Sequence, residues 1–324
     1  MDVATTAAEG SPPVAAPSAT PRRRSRPWRQ NRWRQGSWPA LLWLGPSLVL
    51  IVGVVLYPAY LLVRASFSRY SITGLYRGSA GTDNYTNLAG QDALPTVLMT
   101  TLVWVVAVVA ITIVLSLGLA QFLDKPFFGR RVVRWALIVP WAASLIMTAR
   151  LFVWIYDYYF GILNRFLQWL HVIDGPVDWL GDDSTILPAM IAVGVFVSLP
   201  FTAYVFLAGL QSIPRDLYEA AKMDGASAWR TYRSVTLPLL RPALLVAIVL
   251  NMIYVFNSFP IIWTLNDRNP GFSHDTTITF MYKIAFKSAL RDVGMSAAMS
   301  VVNVLLILVA VLFYLRTVRW REEA

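Results

Sequence analysis

Hydrophobic and polar positions divide this chain into long apolar runs separated by short charged stretches. Six runs approach the roughly 20 apolar residues that a helix needs to cross a bilayer: 39–67, 96–122, 133–156, 186–210, 243–265 and 295–317. Lipid offers the backbone no water, so its N–H and C=O groups must pair within each segment, and each run is read as a helix. Proline falls inside the third run at Pro140, inside the fourth at Pro200, and near the end of the fifth at Pro260. Proline lacks a helix donor and crowds the preceding turn, so kinks are expected where helices pack or line a pathway. The expected fold class is all-α, a polytopic membrane protein with six transmembrane helices. No internal repeat is evident, which gives no support to a carrier built from two matched halves.

The most informative polar stretch is 212–242, S-I-P-R-D-L-Y-E-A-A-K-M-D-G-A-S-A-W-R-T-Y-R-S-V-T-L-P-L-L-R-P. Two short helices are legible in it. Ser212 is placed to cap the first, with Pro214 in the opening turn, where a missing N–H costs nothing. This helix should run to about Met223 and stop at Gly225, a residue free to take left-handed backbone. Ser227 is placed to cap the second, and Pro238 to close it. Glu219, Ala220 and Ala221 fall in the middle of the first helix. The two alanines have almost no side chain, so another protein's surface can approach that backbone closely.

This stretch resembles the EAA loop of ABC importer permeases. The family pattern is E-A-A, three residues, Gly, nine residues, an aliphatic residue, any residue, Leu-Pro. Here it reads Glu219-Ala220-Ala221, Gly225, Val235, Leu237-Pro238, with valine where isoleucine is usual. The resemblance extends over nearly all of the chain after Pro39. Residues 45–70, with Tyr57-Pro58 and later Ser66-Phe67, look like the first span of sugar-importer permeases of the maltose and glycerol-phosphate type. Asp83-Asn84-Tyr85 is similar to the segment before their second span. Asn269–Gly271 with Thr276–Phe286 looks like their last outer loop, although the usual Gly-Gly-Pro is absent.

The resemblance implies a type I ABC importer permease fold and a coupling helix formed around Asp216, Leu217, Glu219, Ala220, Ala221, Asp224 and Gly225. That helix would dock in a groove of an ATP-binding cassette ATPase dimer. The chain has no G-x-x-x-x-G-K-S/T phosphate loop, so the ATPase must be a separate chain. ATP and magnesium belong to that ATPase, and no cofactor is expected in this one. A second, homologous permease is implied as partner, and an extracytoplasmic solute-binding protein by resemblance alone.

Charge distribution sets the orientation. The net charge is +10, and seven arginines lie between Arg22 and Arg34, interleaved with Trp28 and Trp33. Arginine and tryptophan so mixed can bind nucleic acid. Directly before a membrane span they read instead as an anchor, with arginines on the inner face and tryptophans at headgroup level. Residues 1–38 are expected to form a disordered basic cytoplasmic arm, and 39–324 the permease domain. The apolar run after the arm is too long for a signal-peptide core. With the N-terminus inside, the inner segments hold 19 Lys plus Arg against 7 in the outer loops, and 8 Asp plus Glu against 10. The basic excess thus belongs on the cytoplasmic face of the inner membrane, against lipid, with both termini inside and no nucleic acid required.

Residues for a solute pathway are sought near the prolines. Asn251, Tyr254 and Ser258 recur on one helical face of the fifth run, with Asn257 to one side. An amide, a phenol and a hydroxyl can exchange hydrogen bonds with a sugar, and the tyrosine ring can stack on its apolar face. Counted from the EAA loop, this face matches the sugar-contacting face of maltose-type permeases, and Ser198 and Phe201 match on the fourth run. Equally, such side chains join helices to one another within a membrane. Arg64 and Arg150, near span ends, are read as snorkelling.

Three functions are weighed: a permease subunit of an ATP-driven importer for a carbohydrate or similar polar solute, a membrane-embedded glycosyl- or lipid-transferring enzyme, and a stand-alone channel or carrier. Asp174, Asp178, Asp182 and Asp183 are the best candidates for acid–base or metal chemistry, but their spacing fits no metal loop and solvated acids are the ordinary explanation. The near absence of carboxylates within spans argues against ion coupling. The chain has no cysteine, which excludes thiol chemistry, and its two histidines, His171 and His274, read as solvated loop residues.

Overall fold

The computed structural model describes residues 38–267, 269, 271–287 and 291–320. The disorder expected for residues 1–38 lies outside the described residues, except at Trp38, which is helical. By its contacts the chain divides into two units, Met1–Val54 and Val55–Ala324. In the first unit, α1 (Trp38–Leu50) carries Pro46 and leads into a π-helical turn, Ile51–Leu56.

The second unit contains α2 (Tyr57–Ser66), a hairpin of β1 (Ser68–Tyr70) and β2 (Tyr76–Ser79), α3 (Asp83–Ala89) and α4 (Leu94–Asp124). Next come α5 (Arg130–Ala142), α6 (Leu145–Ile155), α7 (Ile162–Trp169) and α8 (Ile186–Gln211). The polar stretch forms α9 (Arg215–Met223), α10 (Ala228–Thr231), a π segment (Tyr232–Thr236) and α11 (Leu237–Leu239). The chain closes with α12 (Arg241–Phe256), α13 (Phe259–Leu265), α14 (Thr277–Phe286) and α15 (Val293–Trp320).

Among the described residues, four helical stretches are long and apolar enough to cross a membrane: Trp43–Ser66, Leu94–Asp124, Ile186–Gln211 and Val293–Thr317. Two bent pairs bring the number to six if each is one span, although the second, 228–256, starts and ends earlier than the expected fifth run, 243–265. They are Arg130–Ala142 with Leu145–Ile155, and Ala228–Leu239 with Arg241–Phe256.

The centre of the second unit is the contact between α4 and α8. Gly194 is what allows it: a Cβ there would sit 2.7 Å from the Trp104 ring and 3.0 Å from Val108. The buried indole of Trp104 donates from Nε1 to the carbonyl of Val255, 3.0 Å away, which ties in α12. Ser116 Oγ donates to Leu199 O at 3.1 Å, and Thr277 N donates to Thr101 Oγ1 at 2.9 Å. Each such bond is made away from water, where a polar group left alone would be costly. Leu102, Val106 and Val114 on α4, and Leu308, Val309 and Phe313 on α15, are exposed and apolar, as surfaces facing lipid chains should be.

Several expectations are corrected. The third run is two helices set 100° apart, rather than one kinked helix. Ala143 and Ser144 take extended backbone, with ψ of 148° and 134°, and turn the chain just after Pro140. The fifth run ends as a helix at Phe256. Pro260, four residues on, offers no N–H to that carbonyl, and it suits the first turn of the new helix α13. Pro200, by contrast, is absorbed within an unbroken α8. Ser212 is no N-cap: α8 runs one residue further than expected, and Ser212 Oγ donates back to Gly209 O at 2.8 Å. Pro238 does not close the second helix. It follows the π segment as an early residue of α11, where its missing donor is not needed, and the chain turns by 63° only at Leu240.

Candidate functional site

Helix α9, the expected coupling helix, is exposed along its length. No residue of α9 is buried; Asp216, Leu217, Glu219, Ala220, Asp224 and Gly225 are exposed, and Ala221 is half-buried. Its end is a Schellman motif. Ala226 N donates to Ala221 O at 3.0 Å and Gly225 N to Lys222 O at 3.1 Å, with Gly225 at φ +71°. The chain then re-enters a helix at Ser227, whose Oγ accepts from Arg230 N at 3.3 Å, as the sequence led us to expect. Behind α9, Thr236 Oγ1 donates to the Tyr218 hydroxyl at 3.3 Å and pins the helix to the π segment. The result is a short exposed ridge with a small-residue centre, held from one side only. Sequence reasoning missed Met223, 88% exposed, and Trp229, 69% exposed. Large apolar side chains so exposed beside the alanines extend the same contact face.

The second place is a cavity of about 420 Å³ between α8, α12 and the end of α5. It gathers Ser198, Phe201, Asn251 and Tyr254, four of the expected pathway residues, the first two of them expected from the family resemblance. It does not gather the other two. Asn257 is exposed and returns its amide to Ile253 O at 2.8 Å. Ser258 is buried beyond the end of α12, so the face it was to share with Asn251 and Tyr254 is interrupted.

Asn251 is spent on packing as well: its Nδ2 donates to Thr202 Oγ1 at 2.8 Å and to Ala247 O at 2.9 Å, joining α12 to α8. The residue that sequence reading missed here is Trp141. Its ring stacks on Phe201 at 6.2 Å between centroids and 17° between planes. Its position next to Pro140, at the end of a helix about to break, was the available signal. The walls are mainly apolar and aromatic, with few polar atoms, which is the usual make-up of a small-molecule site.

Three of the four acids between α7 and α8 are taken up in local bonds. Asp178 accepts from Gly181 N at 3.0 Å. Asp182 accepts from the backbone and hydroxyl of Ser184, both at 2.7 Å, and these bonds hold its carboxyl below the usual range. Asp183 pairs with His274 at 3.0 Å. That histidine side chain is only 17% exposed, which corrects its reading as a solvated loop residue. Asp275 is buried against Lys283; burial raises its carboxyl and the lysine opposes that rise. Asn303, buried in α15, donates to Thr277 O at 3.4 Å and so joins two helices. Arg64 and Arg150 are exposed, in keeping with snorkelling.

Comparison with known proteins places this geometry. Residues 112–321 match the family described as "Binding-protein-dependent transport system inner membrane component". A probable ABC transporter permease of Brucella suis biovar 1 is 41% identical over 86% of this chain and 96% of its own length. The trehalose/maltose transport system permease of Thermococcus litoralis is 37% identical over 66% of this chain and 71% of its own. The sulfoquinovosyl glycerol transport system permease of Agrobacterium fabrum is 32% identical, over 87% and 91%.

Among solved structures, a bacterial ABC transporter involved in alginate import superposes with a TM-score of 0.76 at 22% identity, over 87% of this chain and 96% of that one. At that identity the likeness shows a shared fold. The enzyme reading finds no support in any of these. The chain belongs to the family of binding-protein-dependent transport inner membrane components: it is a multi-pass permease subunit of an ABC importer, without catalytic activity of its own.

Proposed function

We propose that this permease carries a carbohydrate, or a polar solute like one, inward through the cavity between α8 and α12. A separate ATPase dimer, which holds the ATP and magnesium, docks on α9 and tilts the helices connected to it. A second, homologous permease faces the α8–α12 cavity and completes the pathway. A solute-binding protein delivers the solute from outside. Both termini, the basic arm and α9 lie on the cytoplasmic side of the inner membrane, where the Lys and Arg excess belongs.

The single observation that carries this reading is the exposed ridge of α9, with Glu219, Ala220 and Ala221 at its centre and a Schellman end at Gly225. The solute class is supported by aromatic walls beside a few hydroxyl and amide groups, and by relatives named for trehalose, maltose and sulfoquinovosyl glycerol.

Glu219→Lys tests the coupling role. We expect the permease to insert normally while the ATPase no longer co-purifies and uptake is lost. Normal uptake in this variant would count against the proposal. Tyr254→Ala tests the pathway, with uptake falling at least tenfold and the ATPase still bound; loss of assembly instead would make Tyr254 a packing residue.

A further inference from the structure

A second cavity, of about 240 Å³, lies beside the end of α13 and the last turn of α14, apart from the pathway cavity. Its framework is fixed by buried polar groups. Lys283 Nζ pairs with Asp275 Oδ2 at 2.7 Å and donates to Gly271 O at 2.6 Å. Asn266 Nδ2 donates to Asp275 Oδ1 at 3.1 Å and to Ser273 O at 3.2 Å. These bonds leave Asn266 Oδ1 with no hydrogen bond among the described residues, although Asn266 is 4% exposed and lines the cavity. A buried acceptor left so is unfavourable until a donor reaches it.

The other wall is aromatic. Trp263 stacks on Phe259 at 5.5 Å and 15°, and meets Tyr282 edge-on at 4.8 Å and 69°. Its ring is therefore held in place by neighbours. Lys287 Nζ lies over the same ring, 5.9 Å from its centroid, and this exposed side chain must swing aside for a sugar to stack there; Asp267 and Asn269 complete the lining.

A fixed indole face beside amides, a carboxylate and ammonium groups suits a polyhydroxyl ring. The indole takes the C–H face of the sugar, and the polar groups take its hydroxyls. Among the described lining residues two acids, Asp267 and Asp275, balance two lysines, Lys283 and Lys287, a lining suited to a neutral ring. The volume corresponds to roughly eight waters at about 30 Å³ each, enough for one sugar ring and too little for a chain of them.

We infer that this cavity is a separate sugar-binding subsite for one neutral pyranose unit, stacked on Trp263, at the outer mouth of the permease. It rests on the carbohydrate reading above and adds a stop outside the α8–α12 pathway.

The test uses the full importer complex in nanodiscs without its binding protein, and D-glucose, maltose and trehalose as probes. Saturation-transfer NMR reads contact between protein and sugar C–H groups. We expect a signal from at least one probe, reduced at least fivefold by Trp263→Leu and by Asn266→Leu, and retained in Phe201→Ala, which lies outside this cavity. Lys287→Ala, at an exposed position, carries the same test if Trp263→Leu does not assemble with the ATPase. A signal unchanged by these variants, or one abolished by Phe201→Ala alone, overturns the subsite while leaving the carbohydrate reading intact. If no sugar stimulates the ATPase through the binding protein, the carbohydrate reading falls, and this inference with it.

Discussion

Asp275 and Lys283 show how much a single buried pair can commit. The aspartate is 1% exposed, and the lysine ammonium meets it at 2.7 Å while also holding the carbonyl of Gly271. Taking both charges from water is costly, and their mutual attraction with added hydrogen bonds offsets that cost only as a set. Removing one partner leaves the other charged and alone. Asp275→Asn should therefore destabilise the permease by about 3–5 kcal/mol, and Asp275→Asn with Lys283→Met should recover most of it. Denaturant titration of the permease in detergent measures both. Equal losses in the single and double variants would show that the pair does not act as a unit. Asn84 is a second residue of this kind: its Nδ2 holds Ser66 O at 2.8 Å and Ser68 O at 2.9 Å, fixing the entry from α2 to the hairpin. Beside it, Arg69 pairs with Asp83. The Asp-Asn-Tyr triplet noted in the sequence is thus a structural clasp.

Between elements, small residues decide the close contacts. The α4–α8 pair depends on Gly194, and α8 meets the turn into α12 at Gly209, where a Cβ would stand 2.7 Å from Ala243 Cβ and 2.8 Å from Leu240 Cδ1. Neither contact has room for a methyl group. Gly194→Ala should cost about 1–3 kcal/mol by forcing the Trp104 indole off its place, since that ring is buried and bonded to Val255 O. A thermal midpoint unchanged from wild type would show that the pair can spread without loss. In the proposed function the same elements would carry the motion of the ATPase. The α9 ridge is pinned to the π segment by Tyr218 and Thr236, and that segment runs through α11 and a 63° bend into α12, which carries Tyr254. A push on α9 therefore reaches the cavity wall through helix and bend, without a flexible loop between.

For the molecule as a whole, orientation is the property that can be read from either side of the membrane. The chain has no cysteine, so a single introduced thiol reports one position. Met223, on the ridge, and Phe160, 77% exposed in the loop between α6 and α7, should lie on opposite faces. In sealed right-side-out vesicles, an impermeant maleimide should label Phe160→Cys at once, and Met223→Cys only after the membrane is opened. Labelling in the reverse order would invert the proposed topology.

Read alone, the sequence located the apolar runs, the exposed helix 215–223 and its stop at Gly225, because apolar run length and left-handed glycine are local properties of the chain. It also put Ser198, Phe201, Asn251 and Tyr254 on helices at workable spacing. What it could not determine was how a proline would be accommodated. Pro140 precedes a 100° turn, Pro200 is absorbed within one helix, and Pro260 starts a new helix. The outcome depends on whether neighbours can satisfy the freed backbone groups and fill the space around the bend. Only tertiary packing decides that, and so only the structure could bring Trp141 to Phe201, take Ser258 off the pathway face and set Trp263 beside Asn266.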